Sequence, residues 1–327
     1  MAVKRSTIEK YMVQLRRIEE HREKNAEKNI RKLYKKMLKE TQEFLGVEYA
    51  KLAVEGRLTY ETLSRYGEYA RFLEEVETRL NGLSTSVSKE IRTTVEEVYA
   101  LSYKGMVEAV EKVKFVSKFE QMTGFADVAH KQKAAQELAE ALAGIRNVPA
   151  DVIKAAVENP ISGLTLDDIL EKNRKEIIYD IKQQIGTGLR NGDRFETMAN
   201  RISDSLDGDY NKAVRITRTE VHRVREAGHI EAANRVDETL KESSVAARMT
   251  KTWRTMADER VRPNRGKGKK PAKNPKADHV KMDGVTVYAD EKFDLGRGIK
   301  TTAPGQSGDA ANDINCRCFL EYDLEIK

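Results

Sequence analysis

The chain has 327 residues, 34% of them charged and 6% aromatic, with a mean hydropathy of −0.65. That length suits roughly two domains, and the balance favours long, solvated helices over a compact, aromatic-rich enzyme. No apolar run approaches the ~18–20 residues that span a bilayer, and "MAVKRSTIEKYMVQLRR" lacks the uninterrupted apolar core of a secretory signal.

The chain is therefore expected to fold in the cytoplasm, with its two cysteines, Cys316 and Cys318, as reduced thiols. The net charge of +6 conceals two basic stretches: residues 1–40 carry +7 and residues 260–276 carry +8, leaving −9 elsewhere. Positive charge concentrated in this way points to polyanion contact at two places, not over the whole surface.

Residues 6–48 read as one helix of roughly 60 Å at 1.5 Å per residue. Ile8, Tyr11, Leu15 and Ile18 follow a 3–4–3 spacing, the seam of a coiled coil or a bundle helix, before polar Arg22, Asn25 and Asn29 interrupt it. Helices are expected at 58–80 and 84–120, then in "KQKAAQELAEALAGI", which stops at Gly144. Pro149 and Pro160 punctuate short connections. Thr165 is a good N-cap for "LDDILEKNRKEIIYDIKQQIGTGL", because its hydroxyl can accept early amide hydrogens. "GTGLRNGD" ends that helix, and a last long one is expected over about 210–242.

From about residue 245 the pattern changes. "MTKTWRTM", "MDGVTVYADE" with its Asp283–Gly284 turn, and "NCRCFLEYDLEI" read as strands, with Cys316, Cys318, Leu320 and Tyr322 on one face of the last. The fold class is thus mainly α: a long helical body with a coiled-coil-like N-terminal helix, then a small C-terminal α+β module. The expected division is 1–148, 149–244 and 245–327, with a basic loop at 263–277.

"LRNGDRFETMANRI", "AVRITRTEVHRVREAGHIEAANRV", "KTWRTMADERVRPN", "HVKMDGVTV", "DEKFDLG" and "NCRC" follow one another in order. Over about 160–320 this resembles the phage Mu F-like minor head proteins, also called phage head morphogenesis proteins. The resemblance implies a virion component inside the head at the portal vertex, with the portal protein as partner. It also implies a role in head assembly and extends to capsid or scaffold contacts, DNA packaging and ejection. It implies no shared enzyme activity. Arg218 and Glu220 match the family's R-T-E residues and are expected to brace their helix against the C-terminal module. In this chain the basic insertion separates Arg262 from His279.

Several residues invite chemistry. Two thiols on one strand face could bind a soft ion such as Zn²⁺, with His279 as third ligand and Asp258 or Asp278 as fourth. The blander reading is two buried small side chains, since free cysteine is commonly buried. A redox pair is disfavoured by the strain of a C-x-C disulfide. In "DERVR", Asp258 with Arg260 and Arg262 suits a carboxylate–guanidinium lattice that orders the turn and loop, with a polyanion or partner contact as the functional alternative; Trp253, Arg260 and Arg262 are expected to brace the module. His222, Glu226 and His229 share one helix face, where a charged, solvated or ion-paired surface is the plainer reading and a metal site the sharper one.

In the basic loop, Arg265, Lys267, Lys269, Lys270, Lys273 and Lys276 have no aromatic between them for base stacking. Any contact with double-stranded DNA would run through phosphates and be salt-sensitive. No P-loop, H-E-x-x-H or G-x-S-x-G occurs, so no complete catalytic constellation is present. The alternatives to a head protein are an effector enzyme injected with the genome, metal-dependent or not, and a non-specific DNA-binding protein.

Overall fold

The first helix, α1 (Thr7–Leu52), carries an apolar stripe that winds along most of its length. Ile8, Met12, Leu15, Ala26, Ile30, Tyr34, Met37 and Leu45 are buried, whereas Tyr11 and Ile18 are 40% and 51% exposed. The stripe therefore departs from the 3–4–3 seam at two of its four positions. A straight helix of 3.6 residues per turn drifts off a strict heptad frame, and here the stripe passes through Glu19, a carboxylate, instead of Ile18.

In this computed structural model, residues 6–65, 67–113, 128–243, 247–264, 270 and 275–326 are described. After α1 come α2 (Tyr60–Arg65), α3 (Tyr69–Glu111), α4 (Val128–Gly144), α5 (Ala150–Glu158), α6 (Leu166–Asn191) and α7 (Phe195–Glu242). α3 runs unbroken through residues 81–83, where a boundary is expected from the sequence, and α7 begins at Phe195 instead of near residue 210. The ends of α6 follow their local chemistry. Thr165 and Asp168 form a reciprocal capping box, and Gly192 closes the helix with left-handed backbone at φ 61°.

The chain divides into two units. One comprises Glu23–Thr94 and Leu164–Arg218. Within it, stretches of α1, α3, α6 and α7 enclose an apolar core that includes Phe72, Ile91, Ile177, Ile181, Met198 and Ile202. Burying each such side chain contributes roughly 1.5–3 kcal/mol relative to leaving it exposed. Polar cross-links tie neighbouring helices: Asn29 to Glu90 at 2.9 Å, Arg174 to Asn81 at 2.6 Å, and Tyr34 to Asp209.

The other unit comprises Met1–Arg22, Val95–Gly163 and Thr219–Lys327. Here α7 lies close against α3. A Cβ built on Gly228 would stand 2.7 Å from the Tyr99 carbonyl oxygen, so only glycine permits that approach. The C-terminal part holds an antiparallel sheet in the order β2 (Thr286–Tyr288), β1 (Ala247–Arg254), β5 (Phe319–Ile326). A short hairpin of β3 (Phe293–Gly296) and β4 (Ile299–Thr301) and one turn of helix, α8 (Ala310–Asp313), complete it. These last three elements are too short to show a periodicity, and the sequence reading assigns none of them.

β1 alternates strictly, placing Ala247, Met249, Lys251 and Trp253 on the buried face. Lys251 is accommodated because its ammonium donates to the carbonyls of Ala289 and Thr302 at 2.8 and 2.9 Å. Burial still draws its pKa down to about 8. No helix among the described residues is long and apolar enough to cross a membrane.

Candidate functional site

Trp253 ends the buried face of β1 and pairs in register with Leu320 of β5. Its indole meets the His279 ring edge-on, with centroids 5.5 Å apart, and the Phe293 ring at 5.3 Å. Beyond β1 the chain turns through Asp258–Arg262, and the amides of His279 and Val280 return to the Arg262 carbonyl at 2.9 and 3.0 Å. The basic insertion thus leaves and rejoins the framework at Arg262. Residues far apart in sequence are brought to one point, and His279 is 2% exposed.

Cys316 and Cys318 precede β5 instead of lying on it, since that strand starts at Phe319. Asn315, at φ 56°, and the bond from the Cys316 amide to the Asp313 carbonyl turn the chain out of α8 just before them. Both cysteines are free, and each is 3% exposed. Their sulfurs lie 3.6 and 3.4 Å from His279 Nδ1, and the three atoms fall within 4.8 Å of one another. The opposite ring nitrogen, Nε2, is 3.1 Å from Asn312 Oδ1, whose amide group is in turn held by Asp309 at 2.8 Å. A carbonyl oxygen only accepts, so Asn312 places the proton on Nε2 and leaves the Nδ1 lone pair facing both sulfurs.

The two thiols are not equivalent. The Cys318 thiol donating to it holds Cys316 well below the ordinary thiol range, with His222 and His279 adding to the effect against burial. Cys318 is pushed up, by Cys316 first and by burial second.

Asp258, expected as a ligand, does not join this cluster. Its carboxylate accepts both bonds of a bidentate pair from Arg317, the residue between the cysteines, at 2.6 Å to Oδ2, and the Arg260 amide at 2.9 Å. Arg317 holds its carboxyl at about 2. The lattice expected among Asp258, Arg260 and Arg262 is thus built chiefly by Arg317. Arg260 approaches Asp258 only at 3.5 Å, and Arg262 donates to the Ile314 carbonyl. Asp278 also lies outside the sulfur cluster and pairs with Lys281 at 3.1 Å.

The helix face of His222, Glu226 and His229 is buried, not solvated. Its three residues have separate partners. His229 meets Glu19 of α1 at 2.9 Å, and Ser102 of α3 donates to the same oxygen at 2.6 Å. Burial alone would raise the Glu19 carboxyl, but His229 and then Arg225 bring it below its ordinary value. Glu226 accepts from Arg225 at 3.1 Å and from the Leu320 amide at 3.3 Å. His222 accepts at Nδ1 from Arg225 at 2.8 Å.

The residues expected as braces have these partners. Arg218 pairs with Glu27 of α1, at 2.5 and 2.9 Å. Glu220 fixes Arg223 at 2.8 Å. The Arg223 guanidinium donates to the carbonyls of Ala156 and Val157, while its own carbonyl receives Gln306 at 2.5 Å. Arg223 is a buried cross-link that sequence reasoning missed, because a fully buried arginine looks like any other in a charged run. Of the basic loop, Lys270 and Lys276 are exposed; Arg265, Lys267, Lys269 and Lys273 lie outside the described residues.

The sequence profile of the family described as Phage Mu protein F like protein matches residues 179–321, a span that includes every residue of this cluster. The chain is 28% identical over 288 residues to the minor head protein GP7 of Bacillus phage SPP1, covering 88% of this chain and 79% of that protein. It is also 25% identical over 263 residues to the NAD(+)–arginine ADP-ribosyltransferase EFV of Enterococcus faecalis. That match covers 77% of this chain and 49%, about half, of the enzyme. No solved structure matches.

Proposed function

From the match of residues 179–321 to the Phage Mu protein F like family, we infer a minor head protein of a tailed phage, acting in head morphogenesis. The observation that carries this is the breadth of the likeness to the SPP1 minor head protein, which extends over 88% of this chain and so beyond the family region. We place the protein inside the head at the portal vertex, in contact with the portal protein. Its work there is docking. The helical units present a surface laced with ion pairs, and the exposed basic residues, Lys270 and Lys276 among them, tolerate or hold packaged DNA through phosphate contacts.

Co-expression with the portal protein of the same phage genome tests the docking. A complex that survives purification at low and moderate salt is expected; two separate species at both salts would overturn portal association. For DNA, log affinity should fall linearly with log salt, by a slope of about −0.9 per phosphate contact. Neutralising Lys267, Lys269 and Lys270 together should make that slope shallower, and an unchanged slope would remove the loop from the interface.

A second reading, an enzyme delivered with the genome, rests on the likeness to the Enterococcus enzyme. It predicts transfer of label from NAD⁺ to arginine acceptors by the purified chain. Absence of transfer, alongside a stable portal complex, would leave the head protein as the sole reading.

A further inference from the structure

Two buried N–H groups near the thiols lack a hydrogen bond of normal geometry: Trp253 Nε1 and His222 Nε2. Each faces a different sulfur. The indole interacts with Cys318 and the imidazole with Cys316. For His222 the direction of that bond is fixed by its other side. Arg225 only donates, so Nδ1 must accept, and the proton sits on Nε2. Gly305 lies against the same ring edge, where a Cβ would stand 3.3 Å from Cδ2. An orphaned buried donor costs free energy, and a pair of neutral thiols gives these two little to donate to. A pair of thiolates would satisfy both.

We propose that Cys316 Sγ, Cys318 Sγ and His279 Nδ1 bind one Zn²⁺, with His222 and Trp253 each donating an N–H to one of the thiolate ligands. The donor set is soft sulfur with imidazole, which selects zinc over hard-oxygen cations. Binding releases the thiol protons to solvent, and two thiolates with a neutral imidazole make the centre electrically neutral. That neutrality suits its burial. Asn312 holds His279 in the tautomer that a Nδ1 ligand needs. His222, with its proton turned toward sulfur, is a positioning residue and not a ligand. Arg317 takes Asp258 out of the ligand set, so the fourth tetrahedral position falls to water or another exogenous donor.

The full chain, expressed in zinc-supplemented medium and dialysed, should carry one zinc per chain by elemental analysis. Its cobalt-loaded form should show tetrahedral ligand-field bands and a thiolate-to-cobalt charge-transfer band. Cys318→Ser and His279→Ala should lose the metal while circular dichroism reports an unchanged helical content. His222→Phe should keep one metal per chain, bind it about tenfold more weakly, and shift the charge-transfer band to lower energy. Zinc X-ray absorption should give two sulfurs at about 2.3 Å and one imidazole. Wild-type protein that binds no more zinc than Cys318→Ser would overturn the site. Two imidazoles in the absorption spectrum, or complete loss of metal in His222→Phe, would overturn the donor role of His222.

Discussion

His229 and His279 are both buried histidines in the same unit, yet their surroundings differ in kind. Around His229 the neighbours are polar and charged: Glu19 faces the imidazole at 2.9 Å, with Ser102 and Arg225 beside that carboxylate. Around His279 the neighbours are two sulfurs and an amide oxygen, and two N–H groups close by lack a partner of normal geometry. In the first cluster the leftover group is a carboxylate oxygen, Glu19 Oε2, which has no hydrogen bond but faces Arg225 at 4.0 Å. The second has donors and lone pairs converging on sulfur. A buried polar cluster whose leftover charge meets an opposite charge holds helices together, whereas one whose leftover donors converge on two soft ligand atoms has the form of a site.

The largest expected effect breaks the first cluster. Glu19→Ala would leave His229 buried without its carboxylate and remove one of the two that face Arg225; it should cost about 3–5 kcal/mol, read as a lower urea midpoint. Glu19→Gln, which still accepts from His229 and Ser102, should cost distinctly less. Equal losses in the two variants would mean that packing, not charge pairing, holds α1 to α7 there.

A smaller effect comes from a buried carboxyl in the other unit that has no cation bonded to it. Asp209 accepts from Tyr34, and burial pushes its pKa up from 3.8 to about 6. The folded state therefore binds its proton more tightly than the unfolded chain does. Stability from this group is greatest below the unfolded value and declines as the pH rises towards about 6. Asp209→Asn should flatten that decline and raise stability at neutral pH by about 1–2 kcal/mol, measured by urea unfolding across the range. A variant that keeps the wild-type slope would assign the titration elsewhere.

The smallest effect lies at the rim of the sulfur cluster. Asp258 and Arg317 are about one-third exposed, so solvent screens the pair and Asp258→Asn should cost only about 0.5 kcal/mol. The sign is opposite to that of Asp209. Arg317 depresses the Asp258 pKa to about 2, so its contribution is present above the unfolded value and lost as the pH falls. Amide exchange at residues 316–318 should quicken in the variant even where global stability barely moves; unchanged exchange would show that Arg317 does not order the segment.

Much of the architecture was legible because it is local. The capping box at Thr165, the glycine stop at Gly192, the long helices and the sheet strands β1, β2 and β5 depend on nearest neighbours and on periodicity. The sequence also marked Trp253, Arg262, His279 and the C-x-C pair as an ordered set in a Mu F-like region. It misassigned partners where several were chemically equivalent. Asp258 could serve a metal or a guanidinium, and Arg317 decided the matter by lying at bonding distance. The stripe on α1 was misplaced by one residue at each of two positions because Glu19 reads as surface until His229 and Ser102 are set opposite it.

By itself, then, the sequence determined that the chain is mainly helical with a small C-terminal α+β part, and which family the region of about 160–320 resembles. These follow from hydrogen bonds and side-chain patterns within a few residues, or from an ordered set of motifs. Tertiary structure alone decided that His222, on a helix almost a hundred residues earlier, turns its N–H towards Cys316. It alone decided that the Arg223 guanidinium meets the Ala156 carbonyl and that Arg218 meets Glu27. Such pairings depend on which side chains share a buried space, and burial is a property of the whole packed chain.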